Sequence, residues 1–464
     1  MKRTKIVATI GPASQGMIRE LALAGANVVR LNMSHGSKEE HRQVIDAIKK
    51  MNAKLSEPVA IMIDTQGPKI RVGEVEGGRI NLADGSRLTL TTERAIGTHE
   101  KVTVNHPSLA SLVKPGDPIF LADGMIELKV IKSGGKEVQC AVVSGGELGS
   151  RKGVNIPGAA LKLKGLTKKD LEDIAFAADA GADFVAVSFV TSAADVLRVK
   201  DLLKRKGAAT QVVAKIETKE AVGAADEIIR AADGLMIARG DLGVQLPVQE
   251  IPIIQKEITR KCNAAAKPVI IATQMLLSMV HNPRPTRAEV TDVANAILDG
   301  ADAVMLSEET ASGENPLKAV KTMACIAEAI EEGMPEKTDF VNEAKTIPEA
   351  VGKAVSIIAD QLCAKAILTY TTSGSTARFI SRYRPHTAII GVTQSAATIG
   401  RLQLVWGVRA LAVKSPRDTD EMIKEAVSAA ERQGLVKKGD LVVITAGIPF
   451  AVSGNTNLLK VHVV

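Results

Sequence analysis

Two hydrophobic patterns alternate along residues 4–330 of the chain. Short apolar runs rich in β-branched residues predict buried strands, and the stretches after them carry apolar residues at helical spacing. The runs are residues 4–11, 26–36, 58–67, 183–190, 211–217, 234–243, 267–275 and 301–310. Eight strand–helix units predict a (β/α)8 TIM barrel, in which function lies at the carboxyl ends of the strands. A doubly wound open sheet is the alternative, and the count of eight favours the barrel.

The third and fourth strands are separated by a long segment with a different pattern. In residues 69–158, short alternating strands are joined by turns such as EGG, ADG and SGG, which predicts a small β-barrel. We expect this inserted domain to act as a lid that excludes water from the barrel mouth. An insertion without a catalytic part is the alternative.

After the barrel, a helix and alternating strands begin a new α/β domain with its own core. The predicted fold is therefore α/β with three domains. They are the barrel (1–68 and 159–338), the inserted β-barrel lid (69–158) and the C-terminal α/β domain (339–464).

Composition excludes several functional classes. Hydrophobic residues make up 45% of the 464 residues and charged residues 24%, as in ordinary globular proteins. The net charge of +7 is mild for this length, and no basic arm or zinc finger indicates nucleic-acid binding. The four cysteines are widely separated, which favours a reducing compartment. With no signal peptide or membrane helix evident, we expect a cytoplasmic protein without membrane partners.

The first candidate site combines the segments KIE and RGD at the ends of neighbouring strands. Lys215 and Glu217 alternate along one strand, so both should face the barrel mouth. Glu217 and Asp241 offer two carboxylates, the ligands that Mg²⁺ usually takes from proteins. Lys215 beside them can stabilise charge on a phosphoryl group or an enolate. A Lys–Glu ion pair filling the barrel end is the alternative.

A second group follows the second strand. Arg30, Asn32 and Ser34 share one face. The fixed fork of a guanidinium suits a phosphate, and the Asn32 and Ser34 oxygens can face a cation. An arginine that only caps a neighbouring helix is the alternative.

A third group ends the third strand and enters the insertion. Asp64 and Thr65 supply further oxygens, and Lys69 and Arg71 add positive charge. The Gly-Pro pair between them fits a hinge as well as a rigid turn. Single hydroxyls at other strand ends, namely those of Ser188, Thr273 and Ser307, are weaker candidates because packing or capping roles are equally compatible.

These segments resemble the pyruvate kinase family. TKIVATIGPAS, NVVRLNMSHG, DTQGPKIR, AKIE, MIARGDLGV, ATQML and NPRPTRAEVTDVANAILDGADAVMLSEETASG occur in the order found in that family, followed by YRP and SGNTN. The resemblance covers essentially the whole chain. It implies Mg²⁺-dependent phosphoryl transfer from phosphoenolpyruvate to ADP, giving pyruvate and ATP.

The resemblance also implies roles for individual residues. Glu217 and Asp241 would hold Mg²⁺, or Mn²⁺ in its place, and Lys215 would stabilise the phosphoryl group and the enolate. Arg30 and Arg71 would assist catalysis, and Thr273 would belong to the relay that protonates the enolate. The residues implied to contact the substrate are Arg30, Lys215, Gly240, Asp241, Thr273, Ser188 and Ser307.

Nucleotide and effector sites are implied in the same way. The nucleotide residues are Arg71, Lys152, Asn32 and His35, and Asp123 and Lys152 would meet substrates when the lid closes. The family also implies a homotetramer. A Ser/Thr/Gly-rich loop opens a helix of the C-terminal domain, where family members receive phosphorylated effectors, although a helix cap explains its composition equally well. Its residues are Thr371, Thr372, Ser373, Gly374, Ser375 and Thr376.

One departure from the family concerns K⁺. Many members are activated by K⁺ bound near the positions of Asn32, Ser34, Asp64 and Thr65. Those members carry Glu where this chain has Lys69. A lysine ammonium can supply the charge of a bound K⁺, so we predict that K⁺ is not required.

Two other functions remain open at this point. A Mg²⁺-dependent lyase acting on a pyruvate enolate would share the carboxylate site but would not need the lid. An inactive paralogue that senses metabolites is the second alternative, and the presence of Lys215, Glu217, Asp241, Arg30 and Thr273 argues against it.

Overall fold

The computed structural model describes residues 2–122, 124–157, 165–333, 344–449 and 455–464. Its first part consists of strands that alternate with helices. The elements are β1 (Lys5–Thr9), α1 (Ile18–Leu23), β2 (Val28–Asn32), α2 (Lys38–Asn52) and β3 (Ala60–Asp64).

After β3 the chain forms the predicted inserted domain. Its elements are β4 (Ile70–Arg71), β5 (Arg79–Leu82), β6 (Arg87–Thr91), β7 (Lys101–Thr103), α3 (Leu109–Leu112), β8 (Pro118–Leu121), β9 (Ile126–Gly134), β10 (Glu137–Ser144), β11 (Gly146–Gly149) and β12 (Gly153–Asn155). Seven strands form one sheet in the order β4-β12-β8-β9-β10-β6-β7, and β5 pairs with β11. The chain just beyond the two edge strands closes the sheet, because the Gly73 N–H donates to Thr103 O at 2.8 Å and the Asn105 N–H to Arg71 O at 3.0 Å.

The chain then completes the main barrel. The further strands are β13 (Phe184–Val187), β14 (Gln211–Ile216), β15 (Gly234–Ala238), β16 (Val269–Ala272) and β17 (Ala303–Leu306). The helices are α4 (Lys168–Asp179), α5 (Ala193–Arg205), α6 (Lys219–Gly223), α7 (Ala225–Ala231), α8 (Arg239–Gln245), α9 (Ile251–Ala264), α10 (Arg287–Leu298), α11 (Glu308–Ala311) and α12 (Pro316–Glu332). The closed order β1-β17-β16-β15-β14-β13-β3-β2, with parallel pairing throughout, confirms the predicted (β/α)8 barrel.

Strand alternation explains how the barrel is filled. One set of strand residues points outward beneath the helices, and the other set fills the interior. The interior includes Val7, Met62, Phe184, Met236 and Ile270, so mainly aliphatic side chains form this core, as the low aromatic content predicts.

The C-terminal domain is also α/β, as predicted. Its elements are α13 (Ile347–Gln361), β18 (Ala366–Tyr370), α14 (Ser375–Ser381), β19 (Ala388–Thr393), α15 (Ala396–Leu402), β20 (Val408–Ala412), α16 (Thr419–Arg432), β21 (Leu441–Gly447) and β22 (Thr456–Val463). The sheet order is β20-β19-β18-β21-β22, with β22 antiparallel to β21. The domain boundaries remain predictions, and those at 158/159 and 338/339 lie outside the described residues.

The C-terminal domain is attached to the barrel by a buried interface. Leu404 is fully buried within the interior cluster of the barrel. Arg384 donates to Asp302 Oδ1 at 3.0 Å and to the carbonyl of Gly300 at 2.6 Å, and it lies over the ring of Trp406. The ion pair with Asp302 and the hydrogen bond to Gly300 compensate for the burial of the Arg384 guanidinium. This contact therefore holds the C-terminal domain against the barrel. No helix among the described residues is long and apolar enough to cross a membrane.

Candidate active site

A cavity of about 1490 Å³ lies between the mouth of the main barrel and the inserted domain. It brings together many of the residues singled out in the sequence. Those that line it are Arg30, Asn32, Ser34, His35, Lys69, Arg71, Lys152, Lys215, Gly240, Asp241, Thr273 and Ser307. The candidates Asp64, Thr65, Ser188 and Glu217 are buried. Asp64, Ser188 and Glu217 contact residues that line the cavity, and Thr65 contacts Ser188.

Lys215 is at the centre of a buried charged network. Its Nζ donates to Ser188 Oγ at 2.7 Å and to Asp64 Oδ1 at 3.1 Å, and it lies 2.8 Å from Glu217 Oε1. Burial by itself would lower the pKa of Lys215, but the charges of Asp64 and Glu217 raise it above its ordinary value. The ammonium therefore stays charged at the floor of the cavity.

Glu217 is oriented by the backbone of the next loop. Its Oε2 accepts the N–H of Phe189 at 2.7 Å. Its other oxygen, Oε1, is fully buried and accepts no hydrogen bond of good geometry, although Lys215 is near. Burial raises the pKa of Glu217, and the charge of Lys215 opposes that rise. A buried carboxylate oxygen with spare acceptor capacity fits a hard cation.

Asp241 lies in the first turn of α8, three residues after the end of β15. Its Oδ1 is 3.8 Å from Lys69 Nζ, which reaches it from the inserted domain. Within the described ranges no group of three or more Asp, Glu, His or Cys side chains is arranged to hold a metal. A Mg²⁺ ion here would therefore use Glu217 and Asp241 together with water or substrate oxygens, which is its usual coordination.

Asp64 neutralises two cations at once. Its Oδ2 accepts from Arg30 Nε at 2.5 Å, while Oδ1 accepts from Lys215. Burial alone would raise the pKa of Asp64, but Arg30 and Lys215 lower it, so the carboxylate stays ionised. Arg30 also donates to Thr9 Oγ1 at 3.0 Å, which fixes the guanidinium at the cavity wall.

Three of the four side chains predicted to surround a monovalent cation, those of Asn32, Asp64 and Thr65, already accept hydrogen bonds. Asn32 Oδ1 accepts the N–H of Ser34 at 3.1 Å. Thr65 Oγ1 accepts the N–H of Ser188 at 3.1 Å. Since Asp64 is paired with Arg30 and Lys215, protein cations already neutralise its charge.

Thr273 adopts an unusual backbone conformation at the end of β16. Its φ of 68° and that of Gln274, 57°, lie in the left-handed region, which is costly for a β-branched residue. Arg239 donates to the Thr273 carbonyl at 2.9 Å and to Asp292 at 2.7 Å, and so holds this turn. The Gly240 amide, expected to bind a substrate carboxylate, donates to Thr273 Oγ1 at 2.7 Å in this structure.

Two positioning residues were not identified from the sequence. Glu309 is buried and accepts the N–H groups of Leu276 and Ser307, which joins the loops after β16 and β17. Phe189 supplies the amide that orients Glu217. Glu309 is an acidic residue at the end of an apolar run, in the segment SEET, and this position was a signal that it could have a structural role. The amide of Phe189 could not be identified in this way because a backbone N–H leaves no trace in the side-chain sequence.

The predicted nucleotide residues lie toward the inserted domain. Arg71 donates to the carbonyl of Arg151 at 3.0 Å, and Lys152 lines the same cavity. Burial, followed by the positive charges of Arg71 and Lys69, lowers the pKa of His35, so its ring is neutral near pH 7. Asp123, the other lid residue, lies outside the described residues.

The Ser/Thr-rich loop of the C-terminal domain is largely folded on itself. Thr371 Oγ1 accepts the N–H of Gly374 at 2.9 Å, and Thr376 Oγ1 accepts from Thr456 Oγ1 at 2.9 Å. The sequence did not point to Arg378, whose guanidinium would lie 3.6 Å from a Cβ atom at Gly374. A cation is therefore near this loop.

The fold and the site define a TIM-barrel enzyme whose cavity is built for an anionic substrate. Two family models match the chain: "Pyruvate kinase, barrel domain" over residues 1–320, and "Pyruvate kinase, alpha/beta domain" over residues 349–462. A pyruvate kinase from Geobacillus stearothermophilus is 49% identical over 472 aligned positions, which cover 100% of this chain and 80% of that relative. One from Staphylococcus aureus strain MRSA252 is 47% identical, with 100% and 81% covered. The chain belongs to the pyruvate kinase family.

Proposed function

We propose that the chain transfers the phosphoryl group of phosphoenolpyruvate to ADP, with Mg²⁺ held by Glu217 and Asp241. The observation that carries this proposal is the buried contact of Lys215 with Glu217 and Asp64 at the floor of a cavity roofed by the inserted domain. Bound Mg²⁺ would neutralise phosphoryl oxygens. Phosphoryl transfer depends mainly on such positioning and electrostatic stabilisation.

The residues of the site have separate proposed roles in this reaction. Lys215 and Arg30 are charged and fixed by Asp64, so they can stabilise negative charge on the phosphoryl group and on the enolate that remains. Thr273, held by Gly240 and Arg239, is placed to orient the proton donor for that enolate. Arg71 and Lys152 approach from the inserted domain and would bind the nucleotide phosphates.

Lys69 supports activity without K⁺. Its Nζ lies 3.8 Å from Asp241, so a fixed positive charge already lies among the carboxylates of the site. Asp64 has little need of a further cation because Arg30 and Lys215 neutralise it. We infer that Lys69 supplies the charge that K⁺ would otherwise provide.

The experiment is pyruvate formation from phosphoenolpyruvate and ADP with Mg²⁺, in potassium-free buffer and again with KCl, with choline chloride matching the ionic strength. Full activity in both buffers supports the proposal. Activity only with KCl keeps the phosphoryl transfer and removes the role given to Lys69. Binding of phosphoenolpyruvate without turnover in either buffer would favour the metabolite-sensing alternative.

A homotetramer in the cytoplasm completes the proposal. Exposed apolar residues support self-association, with Val248 and Ile253 on the barrel and Ile347, Val461 and Val463 on the C-terminal domain. A light-scattering mass near that of one chain would contradict it. An anionic effector at residues 371–376 is supported by Arg378, and thermal-shift titration with sugar phosphates and AMP tests it.

A further inference from the structure

Asp170 links the crossing from the barrel to the inserted domain with the start of α4, the first helix after the chain returns to the barrel. It lies in the first turn of α4 and is 1% exposed. Its Oδ1 accepts the N–H of Gly67 at 2.8 Å, on the outgoing crossing between β3 and β4. Its Oδ2 accepts the N–H of Thr167 at 2.9 Å and the Thr167 hydroxyl at 2.6 Å, where the chain begins its first helix after returning. One buried carboxylate therefore links the outgoing crossing to the start of α4.

The outgoing crossing is also fixed by packing. Gly67 has a φ of +70°, which favours glycine, and a Cβ atom there would overlap the side chains of Phe189 and Ser188. Its carbonyl accepts the N–H of Lys69 at 2.8 Å, which makes a tight turn. The barrel side of the crossing is therefore tightly constrained, and the chain leaves it directly toward Lys69 and Arg71.

We propose that Asp170 is a positioning residue that fixes the hinge of the inserted domain and so places Lys69 and Arg71 over the reacting groups. This inference rests on the proposed function. Lys69 and Arg71 follow Gly67 by two and four residues, so a shift of the Gly67 amide is transmitted to both with little loss. A misplacement of about 1 Å at a reacting group lowers a rate by about a hundredfold.

The test compares Asp170→Ala with Thr167→Ala. Both substitutions remove the side-chain pairing at the start of α4, because Thr167 Oγ1 accepts the N–H of Asp170 at 3.0 Å and donates to its Oδ2. Only Asp170→Ala also removes the bond to Gly67. Both variants should lower the unfolding temperature, as loss of a helix cap does. We expect kcat to fall about tenfold or more in Asp170→Ala, as for loss of one hydrogen bond to a buried carboxylate, and to stay within about twofold in Thr167→Ala.

A second readout does not depend on activity. The Gly67 amide should exchange slowly with solvent deuterium in the wild type and in Thr167→Ala, and faster in Asp170→Ala, which has no acceptor for it. If Asp170→Ala does not fold, Asp170→Leu, which also lacks an acceptor oxygen, carries both comparisons. Equal kcat losses in the Thr167 and Asp170 variants, or an unchanged exchange rate at Gly67, would overturn the hinge role. An inactive wild type with the expected exchange pattern would instead count against the proposed function.

Discussion

The ammonium of Lys215 can be removed with little change in side-chain volume by the substitution Lys215→Met. In the structure this ammonium lies 2.8 Å from Glu217 Oε1 and 3.1 Å from Asp64 Oδ1, and Lys215 is 5% exposed. The variant therefore leaves two buried carboxylates without their shared cation. It also removes a positive charge from the floor of the cavity where the phosphoryl group is proposed to bind.

The magnitude of each effect follows from these contacts. Breaking a buried ion pair costs about 3–5 kcal/mol. Asp64 keeps Arg30 at 2.5 Å and the cavity admits water, so we expect the free energy of unfolding to fall by less than that full cost, about 2–3 kcal/mol. A positioned cation at a transferring phosphoryl group is worth about 10³–10⁵ in rate, so kcat should fall by at least about 10³.

A matched control lies at the opposite end of the barrel. Lys5 is also buried, and its Nζ donates to the carbonyl of Val408 at 2.6 Å. Lys5→Met makes the same substitution in the same barrel without touching the cavity, so it should leave kcat near that of the wild type.

The assay is pyruvate formation coupled to NADH oxidation by lactate dehydrogenase, with urea unfolding of each variant followed by circular dichroism. The reasoning fails if Lys215→Met keeps more than about a tenth of the wild-type kcat, since the loss expected from the positioned cation is far larger. It also fails if Lys5→Met loses activity to the same extent, because the effect would then come from general destabilisation of the barrel.

Three further predictions address other parts of the molecule. Lys69→Glu should lose most activity in potassium-free buffer and regain it with KCl but not with choline chloride; equal activity in both salts would refute the role of Lys69. Burial raises the pKa of Asp183 to about 6. Above that pH the buried carboxylate is charged and lowers the free energy of unfolding, and this loss is relieved as the pH falls through 6. When the pH is lowered from 7 to 5, the unfolding free energy of the wild type should therefore rise by about 1 kcal/mol relative to that of Asp183→Asn, a value that allows for partial exposure of the side chain. A difference between the two proteins that stays constant with pH in urea titrations would contradict this. Leu404→Ala should lower the free energy of unfolding by about 2–5 kcal/mol in urea titrations because it empties part of the barrel interior, and a loss below about 1 kcal/mol would show that Leu404 is not part of that core.

The fold could be predicted because its signals are local and repeated. Each barrel strand is a short apolar run whose residues are buried on both faces, as for Val185 in β13, so the pattern does not depend on distant partners. Parallel strands in a closed barrel present their carboxyl ends at one mouth, which is why Arg30, Lys215 and Asp241 could be assigned to one site before their distances were known.

The contacts within the site could not be predicted in the same way. Asp64 was expected to offer an oxygen to a cation, yet its partners are Arg30 and Lys215, which lie 34 positions before and 151 positions after it. Lys69 was expected to stand in for K⁺, and its nearest acidic partner is Asp241. Alternation fixes which way a side chain faces but not which of several neighbouring charges it contacts, because that choice depends on rotamers and on backbone amides such as that of Phe189.

The same limit explains why Asp170 was not identified from the sequence. In the structure it forms the capping box of α4 with Thr167, three residues before it. The second oxygen of a capping carboxylate is available for another donor, and here the donor is the Gly67 amide, 103 positions away. A helix cap beside a domain crossing can therefore also orient the inserted domain, and kinetics separates the two roles because a cap alone changes stability whereas a hinge anchor changes kcat.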